Sequence, residues 1–198
     1  MGTTRSFIAI PVPGEVQQAI VNLQKKLRRM LSQVRWTKPD GMHLTLKFLG
    51  DVEDQRLNQI EKALNEVTSC QQAFQLHVKG IGCFPPHGAP RVIWVGLQDE
   101  TGNLTRLQVA VEEAMERLSF SRERRGYTPH LTLGRIGDLK NAGGRDASAL
   151  PDQMRDVLIA EHSTVLGKYE ANEVRLVKSL LTPQGAIYTN LATMRLMP

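Results

Sequence analysis

Four residues in this sequence have the types and spacing for chemistry on an anion: His43 and Thr45 in His43-Leu44-Thr45-Leu46, and His130 and Thr132 in an identical copy, His130-Leu131-Thr132-Leu133. Side chains alternate between faces along an extended strand, so each copy turns His and Thr one way and its two Leu the other. The Leu face can pack on a core while the His and Thr face lines a surface or cleft. Two such strands facing each other gather two imidazoles and two hydroxyls. An imidazole has an ordinary pKa of about 6.5, so both protonation states are available near neutral pH. A neutral His can take a proton from attacking water while a protonated one gives a proton to a leaving oxygen. Each such transfer is worth about a hundred- to ten-thousand-fold in rate. The threonine hydroxyls suit the non-bridging oxygens of a phosphate, where charge builds up during attack.

Other chemistries fit less well. There is no Gly-x-x-x-x-Gly-Lys-Ser/Thr loop for nucleoside triphosphates and no Gly-x-Ser-x-Gly elbow. Neither motif has a His, Cys, Asp or Glu at a neighbouring metal-ligand spacing, so the expectation is no metal and no cofactor. A lone His in a strand is usually structural, and His77, His87 and His162 are read that way. The duplicated tetrapeptide sets His43 and His130 apart.

The elements that must position these residues follow from periodicity. Residues 6–12 read as a central strand, and residues 15–31 as an amphipathic helix burying Val16, Ile20, Leu23, Leu27 and Met30. Its outer face carries Lys25, Lys26, Arg28 and Arg29 and is read as solvated. Residues 34–38 form a short strand and 39–41 a turn, ahead of the first motif strand, which closes at Gly50. A helix over 54–67 follows, then strands over 74–84 and 92–97, and a third helix capped by Thr101. A basic loop with Arg122, Arg124 and Arg125 leads into the second motif. Residues 137–150 read as a surface loop and 151–159 as a short helix. The remainder reads as two or three strands, including 174–181 and 187–196, joined by the turn Thr182-Pro183-Gln184-Gly185. The fold class is α+β: one domain over residues 1–198, built from two related lobes with one motif each.

Composition agrees. The 198 residues are 41% hydrophobic, enough for a packed globule, and the net charge of +5 mildly favours a polyanionic partner. Cys70 and Cys83 are spaced neither as a metal pair nor as a disulfide framework, and the sequence reads as cytoplasmic. No apolar run approaches the ~20 residues of a membrane span, so no membrane partner is expected. The N-terminal Gly2 fits a myristoylation pattern, but a buried strand begins almost at once.

The sequence resembles the 2H phosphoesterases, and more closely the LigT-like RNA 2′,3′-cyclic phosphodiesterases. The resemblance rests on Arg5-Ser6-Phe7-Ile8-Ala9-Ile10, the extended motif from His43 to Gly50, Phe84-Pro85, Pro90 to Gly96, Pro129 to Arg135, Ser179-Leu180-Leu181 and Gly185 to Tyr188. It implies a bilobal pseudo-twofold fold, with antiparallel sheets lining a central cleft and helices outside. It implies hydrolysis of a terminal 2′,3′-cyclic phosphate on RNA, tRNA fragments among the candidates, to a 2′-phosphomonoester, and a reversible joining of RNA ends through a 2′–5′ linkage without ATP. Carried over, His43 is the proton donor, His130 the proton acceptor, and Thr45 and Thr132 bind the phosphate. Arg124, Arg125, Tyr127 and Arg135 are candidate RNA contacts, although strict alternation aims Arg135 away from His130. A monomer is the simplest expectation. The alternatives are a phosphodiesterase of the same superfamily acting on a small cyclic nucleotide or an ADP-ribose derivative, and an RNA-binding module without catalysis.

Overall fold

The computed structural model describes residues 2–86, 89–137, 152–183 and 185–198. Nine strands and four helices alternate along these residues: β1 (Thr3–Pro11), α1 (Gly14–Arg28), β2 (Val34–Trp36), β3 (His43–Glu53), α2 (Leu57–Thr68), β4 (Phe74–Phe84), β5 (Val92–Gln98), α3 (Asn103–Arg117), β6 (His130–Ile136), α4 (Asp152–Ala160), β7 (Val165–Ala171), β8 (Glu173–Thr182) and β9 (Gly185–Arg195). They build two sheets, ordered β3-β1-β8-β9 and β2-β6-β5-β4-β7, with antiparallel neighbours throughout. From β6 onward the second sheet repeats the pattern of the first: motif strand, central strand, second central strand, outer strand. The sheets approach each other along β3 and β6.

The expected elements are present, with informative differences at their ends. Helix α1 stops at Arg28, short of residue 31, so Met30, expected on its buried face, lies beyond the helix and is 38% exposed. The strand expected over 34–38 stops at Trp36, and Pro39–Gly41 forms a 3₁₀ turn, since proline removes a ladder donor. Residues 54–56 form a 3₁₀ turn instead of the first turn of α2. Thr101 was expected to cap α3. Gly102 is the N-cap residue instead, with φ +75°, and the Asp99 carboxylate accepts the Leu104 N–H at 2.8 Å and the Thr101 N–H at 2.9 Å. Thr101 Oγ1 accepts only the Asn103 N–H, at 3.3 Å. The helix expected over 151–159 is α4. Most of the loop expected over 137–150, and His87, lie outside the described residues.

Both motif strands carry a β-bulge at the same step. In β3, Thr45 pairs with Ala9 and Lys47 with Ile8, so Leu46 is the extra residue. In β6, Thr132 pairs with Trp94 and Gly134 with Ile93, so Leu133 is the extra residue. A bulge puts two residues opposite one and shifts the inward–outward alternation by one place. Both leucines stay buried, and the next residue, Lys47 or Gly134, turns inward as well.

Each lobe supports its bulge differently. The Leu133 carbonyl accepts the Thr37 N–H and the Nε2 amide of buried Gln24 on α1, both at 2.9 Å. Gly134 has no room for a side chain: a Cβ there would sit 2.5 Å from Val34 and 3.1 Å from the Arg35 carbonyl. In the first lobe the inward residue is a lysine. Lys47 Nζ donates to the α3 residue Glu112 at 2.6 Å and to the Ser121 carbonyl at 2.8 Å, and both charged side chains are buried. This ion pair ties the motif strand to the helix behind it.

Breaking a buried pair strands the surviving charge, which costs about 3–5 kcal/mol. Lys47→Met should therefore lower unfolding stability in urea by about that amount. Lys47→Met combined with Glu112→Gln should recover most of it, because no buried charge is left unpaired. Two losses that simply add would show that the pair does not hold β3 to α3.

Candidate active site

The two halves of the repeat meet at one cleft of about 350 Å³, lined by His43, Thr45, His130 and Thr132 together. The Leu partners, Leu44, Leu46, Leu131 and Leu133, are all buried behind them. The bulges then bring the fifth residue after each motif histidine onto the same face: Phe48 in the first lobe, Arg135 in the second. Strict alternation had aimed Arg135 away from His130. The structure corrects this, because the extra residue at Leu133 reverses the parity and puts Arg135 on the cleft wall.

The two imidazoles sit in related but unequal surroundings. His43 lies against Phe7, with ring centroids 4.5 Å apart, and edge-on to Tyr188 at 5.0 Å. Among the described residues no hydrogen bond holds its ring. His130 lies edge-on to Phe84 at 5.0 Å and tilted to Trp94 at 6.2 Å. Its Nδ1 lies 2.8 Å from the Thr128 carbonyl. A carbonyl can only accept, so Nδ1 carries the proton, and the neutral ring keeps its lone pair on Nε2.

The pattern described as "LigT like Phosphoesterase" matches twice, over residues 10–94 and 95–188, with one motif in each match. The chain belongs to the LigT-like phosphoesterase family.

It is thus an enzyme of the phosphoesterase class. An Archaeoglobus fulgidus protein named RNA 2′,3′-cyclic phosphodiesterase is 36% identical over 187 residues, covering 94% of this chain and 97% of its own. A relative of the same name from Methanocaldococcus jannaschii is 32% identical over 93% of this chain and 96% of its own. Among solved structures, a Thermus thermophilus protein superposes with a TM-score of 0.77 at 26% identity, over 97% of both chains. Escherichia coli LigT complexed with 3′-AMP gives the same score at 23% identity over 99% of both chains, a likeness of fold. Among the described residues no helix is long and apolar enough to cross a membrane.

The other residues singled out in the sequence fall in different places. Arg124 and Arg125 are exposed on the loop before β6 and do not line the LigT-like cleft. Arg125 pairs with Glu123 at 3.2 Å. Tyr127 also lies off the cleft wall. Its hydroxyl donates to the Thr45 carbonyl at 3.1 Å while its ring packs on the core. It braces the first motif strand from behind, where a nucleobase does not reach. Burial, followed by the Tyr169 side chain, raises its pKa. Sequence reasoning missed Phe48, Phe84, Trp94 and Tyr188 as parts of the site. The signal for Phe48 was its place five residues beyond the motif histidine, level with Arg135.

The cleft suppresses charge on both imidazoles. Burial first, and then the nearby His130, hold the pKa of His43 down at about 4. His130 is lowered by burial, with Arg135 acting in the same direction and the Thr128 carbonyl opposing. In the empty LigT-like cleft near neutral pH both rings are therefore neutral. Below an unfolded-state pKa of about 6.5 the unfolded chain takes up the His43 proton first, so stability falls as pH drops from about 6.5 toward 4. Histidine ring resonances followed by NMR should show His43 titrating near 4, and His130→Ala should move that titration upward. An His43 titration at the ordinary value in the folded protein would show that the cleft does not exclude its charge.

Proposed function

We propose that this LigT-like phosphoesterase opens the terminal 2′,3′-cyclic phosphate of RNA to a 2′-phosphomonoester, with His130 as general base and His43 as general acid. The observation that carries the reading is the convergence of His43, Thr45, His130 and Thr132, from two equivalent strands, on one cleft. The RNA substrate follows the names of the relatives, which align over nearly the whole chain.

The cyclic phosphate sits between the two imidazoles. Nε2 of His130 removes a proton from water as the water oxygen attacks phosphorus, and the bond from phosphorus to the 3′ oxygen breaks. His43 delivers a proton to that oxygen, leaving the phosphate on the 2′ oxygen. Thr45 and Thr132 donate to the non-bridging oxygens as negative charge grows on them. The Thr128 carbonyl supports the base assignment, since it fixes the tautomer with its lone pair on Nε2.

His43 poses the harder requirement, because an acid must carry its proton and the empty cleft removes it. The substrate supplies what is missing. A phosphate anion beside the ring favours the charged form and raises the pKa toward the working range. The aromatic walls strengthen that attraction by keeping water away. Proton delivery is thereby tied to occupancy by an anion. With a 5′-hydroxyl in place of water, the same step joins RNA ends through a 2′–5′ linkage without ATP, and the two histidines exchange roles when that linkage is cleaved back to the cyclic phosphate.

A short RNA ending in a 2′,3′-cyclic phosphate, incubated with the protein in EDTA, should be converted to the 2′-phosphate. Loss of activity with EDTA, or a 3′-phosphate product, would contradict this chemistry. His43→Ala and His130→Ala should each lower kcat by at least about a hundredfold while RNA binding changes far less. Free-enzyme pKa values govern kcat/KM and those of the complex govern kcat. The optimum of kcat/KM should therefore lie below about pH 6.5, the ordinary imidazole value, and that of kcat should lie higher. Coincident optima would rule out the coupling of His43 protonation to substrate.

A further inference from the structure

The open face of the second sheet does not end at His130. His130 pairs with Gly96, and Gly96 with Lys79, so the three form one row across β6, β5 and β4. Gln98, His77 and Lys168 form the next row, across β5, β4 and β7. At the usual separation of about 4.8 Å between strands, Lys79 lies about 10 Å from His130.

On the near side, Trp94 provides a flat floor. Its indole lies over Gly82, where a Cβ would come within 2.2 Å of the ring, and beside Gly96. The two glycines leave a seat in which the ring rests flat on the sheet, 5.2 Å from Phe84. The loop after α4 adds His162, whose Nδ1 lies 2.9 Å from the Ile159 carbonyl, leaving Nε2 free. Lys79, Trp94, Gly96, Gln98, Thr128 and His162 line an open hollow of about 300 Å³, whose wall includes Pro129 next to His130 in the chain. Among the described residues neither Lys79 nor Lys168 makes an ion pair. The acidic Glu170 stands beyond them, opposite Gln75.

An aromatic floor followed by unpaired cations suits single-stranded nucleic acid, whose bases stack on rings and whose phosphates seek positive charge. The chemistry indicates which strand. In-line displacement puts the attacking oxygen opposite the departing 3′ oxygen. If His43 serves the 3′ oxygen, the ribose of the cyclic end lies on the His43 side, and the His130 side belongs to the nucleophile.

We propose that this face seats a second, single-stranded RNA, with its 5′-hydroxyl at His130 and its backbone passing Trp94 toward Lys79 and Lys168. The inference rests on the acid and base assignment given above. In the joining step the 5′ oxygen forms a bond to phosphorus and gives its proton to His130. The bond from phosphorus to the 3′ oxygen breaks, and that oxygen takes its proton from His43. One phosphoester bond forms and one breaks, so no ATP is needed.

The test uses the full chain and the variant Lys79→Ala/Lys168→Ala. Binding of a fluorescent 5′-hydroxyl oligouridylate is followed by anisotropy with the cleft saturated by adenosine 2′-monophosphate, and hydrolysis of 2′,3′-cyclic AMP is measured in parallel. The oligonucleotide should bind alongside the nucleotide, and the variant should weaken it about tenfold at low salt. Its salt dependence should become shallower by about 0.7 per lost phosphate contact. Cyclic AMP hydrolysis should be unchanged. Displacement of the oligonucleotide by the nucleotide, equal binding by wild type and variant, or no binding overturns the second-strand seat. Failure of the wild type to hydrolyse cyclic AMP would count instead against the proposed function.

Discussion

The structure turns on the extra residue that follows each threonine. A strand that kept strict alternation would bury Leu46 and Leu133, then aim Phe48 and Arg135 at the helices behind the sheets. The one residue added after each threonine keeps the leucines in the core and returns Phe48 and Arg135 to the cleft. Each motif strand therefore lines the cleft from three positions, His43, Thr45 and Phe48 in one lobe and His130, Thr132 and Arg135 in the other. The cost of the bulge is an inward residue with no natural place in the core. The lobes resolve it in opposite ways, one with a glycine closed in by Val34, the other with a lysine neutralised by Glu112.

Desolvation connects this packing to chemistry. The aromatic rings around His43 and His130 come from strands β1, β9, β4 and β5, so both sheets contribute walls. Those walls disfavour charge on either imidazole, and the nearby His130 adds to the effect on His43. A site with that property holds protons poorly. The backbone carbonyl of Thr128 gives the pair its asymmetry, since it fixes one ring while the other lies among aromatic faces.

Much of this was legible in the sequence because it depends on local periodicity. The leucine and histidine faces, the amphipathic helices and the hairpin between β8 and β9 all follow from spacing. The repeated tetrapeptide identified the two strands that meet. What the sequence concealed depends on partners distant along the chain. The bulges arise from pairing with β1 and β5, and they moved Arg135 to the face opposite the one alternation assigned. Tyr127 looked like a surface aromatic in a basic loop, yet its hydroxyl closes on the Thr45 carbonyl, 82 residues away. Thr101 gave way to Asp99 as the main acceptor at the start of α3, because the left-handed Gly102 turns the chain so that a carboxylate further back reaches the free N–H groups.

The repeat also sets a limit on what symmetry can do. Two identical motifs present the same His and Thr to the cleft, so they cannot by themselves tell one end of it from the other. Polarity has to come from positions where the lobes differ. Five residues beyond each motif histidine, one lobe offers Phe48, 70% exposed and 5.9 Å from Phe7, and the other offers the cation of Arg135. A phenyl ring prefers a base or the apolar face of a sugar, and a guanidinium prefers a phosphate. Together with the carbonyl that fixes only His130, this contrast makes the two ends of the cleft chemically different where the motifs themselves are the same. Duplication supplied the paired imidazoles, and divergence beside each motif made the two sides of the cleft unlike.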